Sequence, residues 1–100
     1  MVKAKLDAGS PFLFIDCREQ DEHELVNIEA ARLLSTSEIQ ERVCELEDHR
    51  EDEIIVHCHH GVRSLQVALW LQQLGFTNVK SMEGGIDHWA AEIDQTLLRY

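Results

Sequence analysis

Residues 53–64 read EIIVHCHHGVRS, and this stretch decides the architecture. Ile54, Ile55 and Val56 form a short, unbroken apolar run of β-branched residues, which predicts a strand buried on both faces. The loop Cys58-His59-His60-Gly61-Val62-Arg63 follows, and Ser64 is expected to open a helix. Leu65, Ala68, Leu69, Leu71 and Leu74 give that helix a wide apolar face. Gly75 is placed to end it. The chain then returns through Phe76 to a short strand around Val79-Lys80.

The same alternation extends outward. Phe12 to Ile15 (FLFI) reads as a second buried strand, ending at Asp16-Cys17-Arg18. A short charged helix is expected over 19–27, and a short strand over 31–34. Ser35-Thr36-Ser37 offers caps for a helix carrying Ile39, Val43 and Leu46, with Cys44 beside them on the apolar face. Residues 48–52 read as a charged turn. Met82-Glu83-Gly84-Gly85 reads as a turn into a last helix over 86–93, anchored by Trp89. Strands alternating with helices predict an α/β fold: a small parallel sheet of four or five strands with helices on both faces. In such sheets ligands gather at the carboxyl ends of the strands. Asp16-Cys17-Arg18 and the Cys58 loop both lie at such ends.

Composition bounds the rest. One hundred residues suit a single domain, 1–100. With 44% hydrophobic and 28% charged residues, the chain has globular composition. A net charge of -10 makes nucleic acid and anionic membrane poor partners. No stretch is long and apolar enough to span a bilayer. The start, MVKAKLDAGS, lacks the apolar core of a signal peptide, so a cytoplasmic location is expected. The three cysteines include no CxxC, and with the six histidines they form no zinc pattern, so neither metal nor cofactor is expected.

The chemistry concentrates at Cys58. Amides at the start of a helix lack intrahelical partners, and the helix dipole adds partial positive charge there. A loop that feeds a cysteine into such a terminus is a cradle for an anion. Gly61 lets the backbone turn inward without a side chain in the way. A free thiol titrates near ~8.5. A helix terminus contributes about 1 kcal/mol or somewhat more, which lowers that value by roughly one unit. Cys58 is therefore expected to be a thiolate nucleophile, against the plainer reading of a buried, inert cysteine ending a strand. Arg63 has two readings: pairing with a bound anion through its fork, or bracing the loop through a carboxylate.

Three motifs, in this order and spacing, resemble the rhodanese-like domain family. They are Asp16-x-Arg18-Glu19, Cys58-x-x-Gly61-x-Arg63-Ser64, and Gly75-Phe76-x-x-Val79-x-x-Met82-x-Gly84-Gly85-x-x-x-Trp89. The resemblance runs from about Phe12 to Trp89. It implies a small parallel sheet with helices on both sides, and a cysteine that accepts sulfane sulfur as a persulfide. It also implies that His59, His60 and Val62 face the substrate. Two departures stand out. The family's Gly-His-Ile-x-Gly-Ala stretch is replaced here by Val26-Asn27-Ile28-Glu29-Ala30-Ala31, and the family's first strand, before Leu6, is expected to be missing. The ending from Trp89 to Tyr100 resembles rhodanese modules appended to adenylyltransferases of the ubiquitin-activating type, which implies a partner of that class.

Cysteine phosphatases are the main competing reading. Their pattern places the arginine one residue further from the cysteine than Arg63 stands from Cys58. A residue spans at most about 3.5 Å, so the shorter loop makes a smaller ring of amides. A persulfide adds one sulfur atom, whereas a phosphoryl group brings three further oxygens. The expected reaction is therefore ping-pong sulfur transfer. Cys58 takes sulfur from thiosulfate or a protein persulfide and gives it to a thiol or cyanide-like acceptor. A phosphatase, with Asp87 or Asp16 as general acid, and a non-catalytic regulatory module are the alternatives.

The remaining residues read more plainly. Asp16 and Arg18 are expected to support the loop as a buried ion pair, with Arg18 near substrate as the alternative. Cys17 is expected in the core, or as a resolving thiol beside Cys58. Cys44 is expected in the helix core, and Trp70 and Trp89 as packing residues. His23, His49 and His88 read as surface, and Glu19, Glu22 and Glu24 as a solvated helix face.

Overall fold

A computed structural model describes residues 2, 7, 9, 12–28, 30–82 and 84–93. Among the described residues four strands, β1 (Leu13–Asp16), β2 (Arg32–Leu33), β3 (Ile54–His57) and β4 (Val79–Ser81), form one parallel sheet in the order β2-β1-β3-β4. After β1, the helices among the described residues are α1 (Gln20–Leu25), α2 (Ile39–Arg42), α3 (Val62–Gln73) and α4 (Gly85–His88). α2 continues into a 3-10 segment, Val43–His49, and α4 into a wide π turn, Trp89–Ile93. The expected parallel α/β sheet is present. The N-terminal segment 3–6 and the tail 94–100 lie outside the described residues, as does the His88 side chain. The expectations of a missing first strand and an adenylyltransferase-type ending rest there.

The unbroken apolar runs in β1 and β3 follow from burial on both sides. Ile15, Cys17, Ile54, Val56 and Cys58 face one core with Ile39, Leu46, Val67, Ala68 and Leu71. Phe14 and Ile55 face the other, with Val26, Ile28, Ile86 and Trp89. Each fully buried aliphatic side chain contributes about 1.5–3 kcal/mol, so both cores matter to a domain this small.

Register fixes the site. β1 and β3 pair from Leu13↔Ile54 to Asp16↔His57. From β1 the chain leaves toward β2, and from β3 toward β4, in opposite directions across the sheet. The carboxyl ends of β1 and β3 therefore flank a topological switch point, where such sheets form their binding crevices.

Four local expectations are corrected. α3 opens at Val62, capped by Gly61 at φ 103, rather than at Ser64. Its buried row is Ser64, Val67, Ala68 and Leu71, whereas Leu65 and Leu69 are about half exposed and Leu74 is exposed too. Small Ser64 and Ala68 let the helix sit close on the sheet, and the neighbouring leucines turn outward. Cys44 is exposed, not core. The tighter winding, with three residues per turn, puts Val43 and Leu46 in line and turns Cys44 out. The hydroxyls of residues 35–37 do not cap α2, whose N-cap is Glu38 without a side-chain bond. Two of them bind the loop after β1 instead: Thr36 Oγ1 donates to the Cys17 carbonyl (2.7 Å) and Ser37 Oγ to Glu19 Oε1 (2.5 Å).

Candidate active site

The loop between β3 and α3 wraps its own cysteine. The Gly61 amide donates to Cys58 Sγ at 3.1 Å and the Ser64 amide at 3.4 Å, with Ser64 Oγ at 3.5 Å. Gly61 reaches this geometry through its left-handed backbone, which glycine adopts without steric cost. The dipole of α3 points at the same sulfur. Cys17, at the end of the neighbouring strand, lies in the same core beside it.

These donors hold Cys58 as a thiolate, with its pKa lowered to about 4. The neighbouring Cys17 thiol is the largest cause. Burial opposes it, and the Ser64 hydroxyl and the Ser64 and Gly61 amides add to the lowering. Cys17 is pushed upward by the same contact and by burial, so of the two thiols it keeps the proton. Cys58 is only 1% exposed, so its sulfur lies at the bottom of its loop.

Behind the sulfur, two serines form a short chain. Ser64 Oγ lies 2.6 Å from Ser81 Oγ, at the end of β4; with the Ser64 proton directed at Cys58 Sγ, Ser81 Oγ donates to Ser64 Oγ, and the Gly61 carbonyl lies 3.5 Å from the same hydroxyl. The loop's other carbonyls are held by α4. The Ile86 amide donates to the Cys58 carbonyl (2.8 Å) and the Asp87 amide to the His59 carbonyl (3.1 Å). A Cβ on Gly85 would stand 2.3 Å from the Cys58 carbonyl oxygen, so only glycine permits this approach. That requirement explains the second glycine of Gly84-Gly85.

Arg63 takes the bracing geometry. Its two terminal nitrogens donate to Glu22 Oε1 (2.6 Å) and Oε2 (2.9 Å). This bidentate pair ties the start of α3 to α1. Glu22 also accepts from the Glu19 amide at 3.2 Å, closing a capping box at the start of α1. Glu19 and Glu22 are thus structural partners rather than a solvated face. The Glu-x-x-Glu spacing of a capping box was the signal available in the sequence.

A buried polar cluster lies under the loop after β1. Arg18 Nη2 donates to Asp16 Oδ2 (2.8 Å) and to the Val26 carbonyl (2.6 Å), and both side chains of the ion pair are fully buried. His23 Nδ1 lies 2.8 Å from Asp16 Oδ2, so His23, expected at the surface and a quarter exposed, is also a member of this cluster. Asp16 is held as a carboxylate below its ordinary value; burial acts against this, and the Arg18, His57 and His23 contacts outweigh it. So engaged, it is poorly placed to serve as a general acid. His57, fully buried against the Phe14 ring, has its pKa lowered by burial, and neither ring nitrogen has a hydrogen-bond partner among the described residues.

Around the mouth, Val62 is 67% exposed and His60 faces outward, its Nδ1 3.8 Å from Asp87 Oδ2. The His59 ring stacks on His60, centroids 4.0 Å apart. The structure therefore brings Asp16, Cys17 and Arg18 against the Cys58 loop. Glu22, His23, Ser81 and Gly85 join them, and none of these four roles was read from the sequence.

The chain belongs to the rhodanese-like domain family, whose model matches residues 1–92. It is 40% identical over 76 residues to the thiosulfate sulfurtransferase GlpE of Coxiella burnetii, covering 76% of this chain and 69% of that one. It is 30% identical over 97 residues to MoeZ of Mycobacterium tuberculosis, a protein named as an adenylyltransferase/sulfurtransferase. That match covers 95% of this chain but spans only 24% of the length of MoeZ. A crystal structure of a rhodanese-related protein from Thermoplasma volcanium superposes with a TM-score of 0.79 at 32% identity, covering 92% of this chain and 86% of that one. Family and relatives place the chain among sulfurtransferase-type domains. No helix among the described residues is long and apolar enough to cross a membrane.

Proposed function

We propose that the domain carries sulfane sulfur on Cys58. The Cys58 thiolate attacks the outer sulfur of thiosulfate. The sulfur–sulfur bond of the donor breaks, sulfite leaves with the electron pair, and Cys58 keeps the outer sulfur as a persulfide anion. A cyanide ion or a thiolate then attacks that outer sulfur, and Cys58 leaves as the thiolate again. Both steps are displacements, so no external oxidant or reductant is consumed and no metal is needed.

The observation that carries this reading is the ring of donors on Cys58 Sγ: the Gly61 and Ser64 amides, with the Ser64 hydroxyl, within 3.1–3.5 Å. In the persulfide these groups offer hydrogen bonds to the sulfur pair and its charge. Gly61 and Ser64 serve through their amides, and Arg63 and Asp16 with Arg18 hold the two strand-end loops in place. His59, His60 and Val62 line the approach. A protein persulfide fits as donor in place of thiosulfate. The likeness to MoeZ supports an adenylyltransferase-type partner, because that relative's name joins the two activities.

Thiocyanate production from thiosulfate and cyanide, in wild type and Cys58→Ser, tests the reading. Turnover by wild type and none by Cys58→Ser supports it. Hydrolysis of an aryl phosphate that depends on Cys58, without thiocyanate formation, overturns it in favour of phosphoryl transfer.

A further inference from the structure

Cys17 is a second buried thiol beside the reactive one, and sulfur transfer uses it only to hold Cys58 as the anion, not to carry sulfur. β1 and β3 run in register to Asp16↔His57, and the pairing continues through the Cys17 amide, which donates to the His57 carbonyl at 3.0 Å. Cys17 and Cys58 each follow the last paired residue of their strand. Both side chains enter the same core, Cys17 0% and Cys58 1% exposed. Adjacent strands lie about 4.8 Å apart, inside the roughly 4.4–6.8 Å separation of α-carbons that a disulfide accepts. The strand register thus sets the two sulfurs side by side in one buried layer.

We propose that Cys17 is a resolving thiol, which converts peroxide-oxidised Cys58 into a reversible Cys17–Cys58 disulfide. In the first step the Cys58 thiolate attacks one oxygen of hydrogen peroxide. The O–O bond breaks, hydroxide leaves, and Cys58 becomes a sulfenic acid. In the second step Cys17 attacks that sulfur. The S–O bond breaks, the Cys17 proton leaves with the hydroxyl as water, and the disulfide forms. Peroxide is the oxidant, and both cysteine sulfurs end oxidised. A small-molecule thiol reverses the reaction by exchange.

The resting pair is arranged so that only the first step starts it. Cys17 is kept protonated chiefly by the Cys58 anion beside it. Conversion of Cys58 to a neutral sulfenic acid removes that anion, and Cys17 becomes the better nucleophile at that moment. Cys44, the third cysteine, is exposed on the 3-10 segment Val43–His49, so it serves as a control position.

The test uses the full chain carrying Cys44→Ser, treated with hydrogen peroxide and followed by intact mass and by mapping of the peptides. The expected product has lost the mass of two hydrogen atoms, joins the Cys17 and Cys58 peptides within one chain, and reverts with dithiothreitol. With Cys17→Ala added, Cys58 instead gains two oxygen atoms irreversibly. Oxygen addition at Cys58 at the same rate with or without Cys17, and no internal cross-link, overturns the proposal. The cross-link in the Cys44→Ser chain decides the matter even where Cys17→Ala folds poorly. No sulfur donor is present, so failure here is separate from failure of sulfur transfer.

Discussion

Replacing Ser64 with Ala removes one donor from Cys58 Sγ and leaves the backbone amide at the same position. The hydroxyl stands 3.5 Å from the sulfur in a fully buried site. A hydrogen bond to a charged group is worth about 1.5–3 kcal/mol, which corresponds to roughly 1–2 pKa units. The Cys58 midpoint, about 4 in the wild type, should therefore rise to between about 5 and 6. At pH 7 this shift is nearly silent, since the thiolate fraction falls only from about 99.9% to about 90% at most. At pH 5 it is plain: the fraction drops from about 90% to about half or less. The rate of alkylation of Cys58 by iodoacetamide, measured across pH 3–8 in a Cys44→Ser background, reads the midpoint directly. Ser81 then has the Gly61 carbonyl as acceptor, so the variant should lose no more than about 1 kcal/mol of stability. A midpoint that stays within a few tenths of the wild type, in a folded Ser64→Ala protein, refutes the claim that the loop's hydroxyl stabilises the thiolate.

Asp16→Asn leaves the fully buried Arg18 guanidinium without its counter-charge, and should cost about 3–5 kcal/mol in urea unfolding; a loss under 1 kcal/mol contradicts the ion pair's structural role. Glu22→Gln releases Arg63 at a partly exposed pair, so a smaller loss of about 1 kcal/mol is expected by the same measurement, declining with added salt. His57 has a pKa lowered from 6.5 by burial. The unfolded chain then binds the proton more readily, so stability should fall as pH drops below about 6.5, down to the folded-state value. His57→Phe should flatten urea midpoints between pH 7 and pH 5, and an unchanged slope speaks against a buried neutral imidazole. Gly85→Ala forces a Cβ to within 2.3 Å of the Cys58 carbonyl, at a positive φ of 57; lower thermal stability and lower thiosulfate:cyanide turnover together are expected, and unchanged values for both count against the packing described.

Legibility followed the range of the interaction. Ile54-Ile55-Val56 announces a strand buried on both faces because burial writes itself into consecutive residues. The Cys58 loop announces its chemistry because cysteine, glycine and the helix start are close in sequence. Glu22 was misread because its partner, Arg63, is 41 residues away and meets it only when α1 and α3 fold onto opposite sides of the same strand ends. His23 joined Asp16 for the same reason. Gly85 was recognised as part of a turn, yet its close approach to the Cys58 carbonyl exists only in three dimensions. Leu65, Leu69 and Cys44 read as core by helical spacing. Small Ser64 and Ala68 instead set the face that α3 lays on the sheet, and 3-10 winding turns Cys44 outward; spacing on a regular helix records neither.

The most direct test of Cys58 as a sulfur carrier is the intact mass of the protein after incubation with thiosulfate and removal of the excess. The wild type should gain the mass of one sulfur atom, lose it on adding cyanide, and show no gain as Cys58→Ser. A wild type that never takes up sulfur from thiosulfate or from a protein persulfide, or a Cys58→Ser variant that takes it up equally, contradicts the assignment.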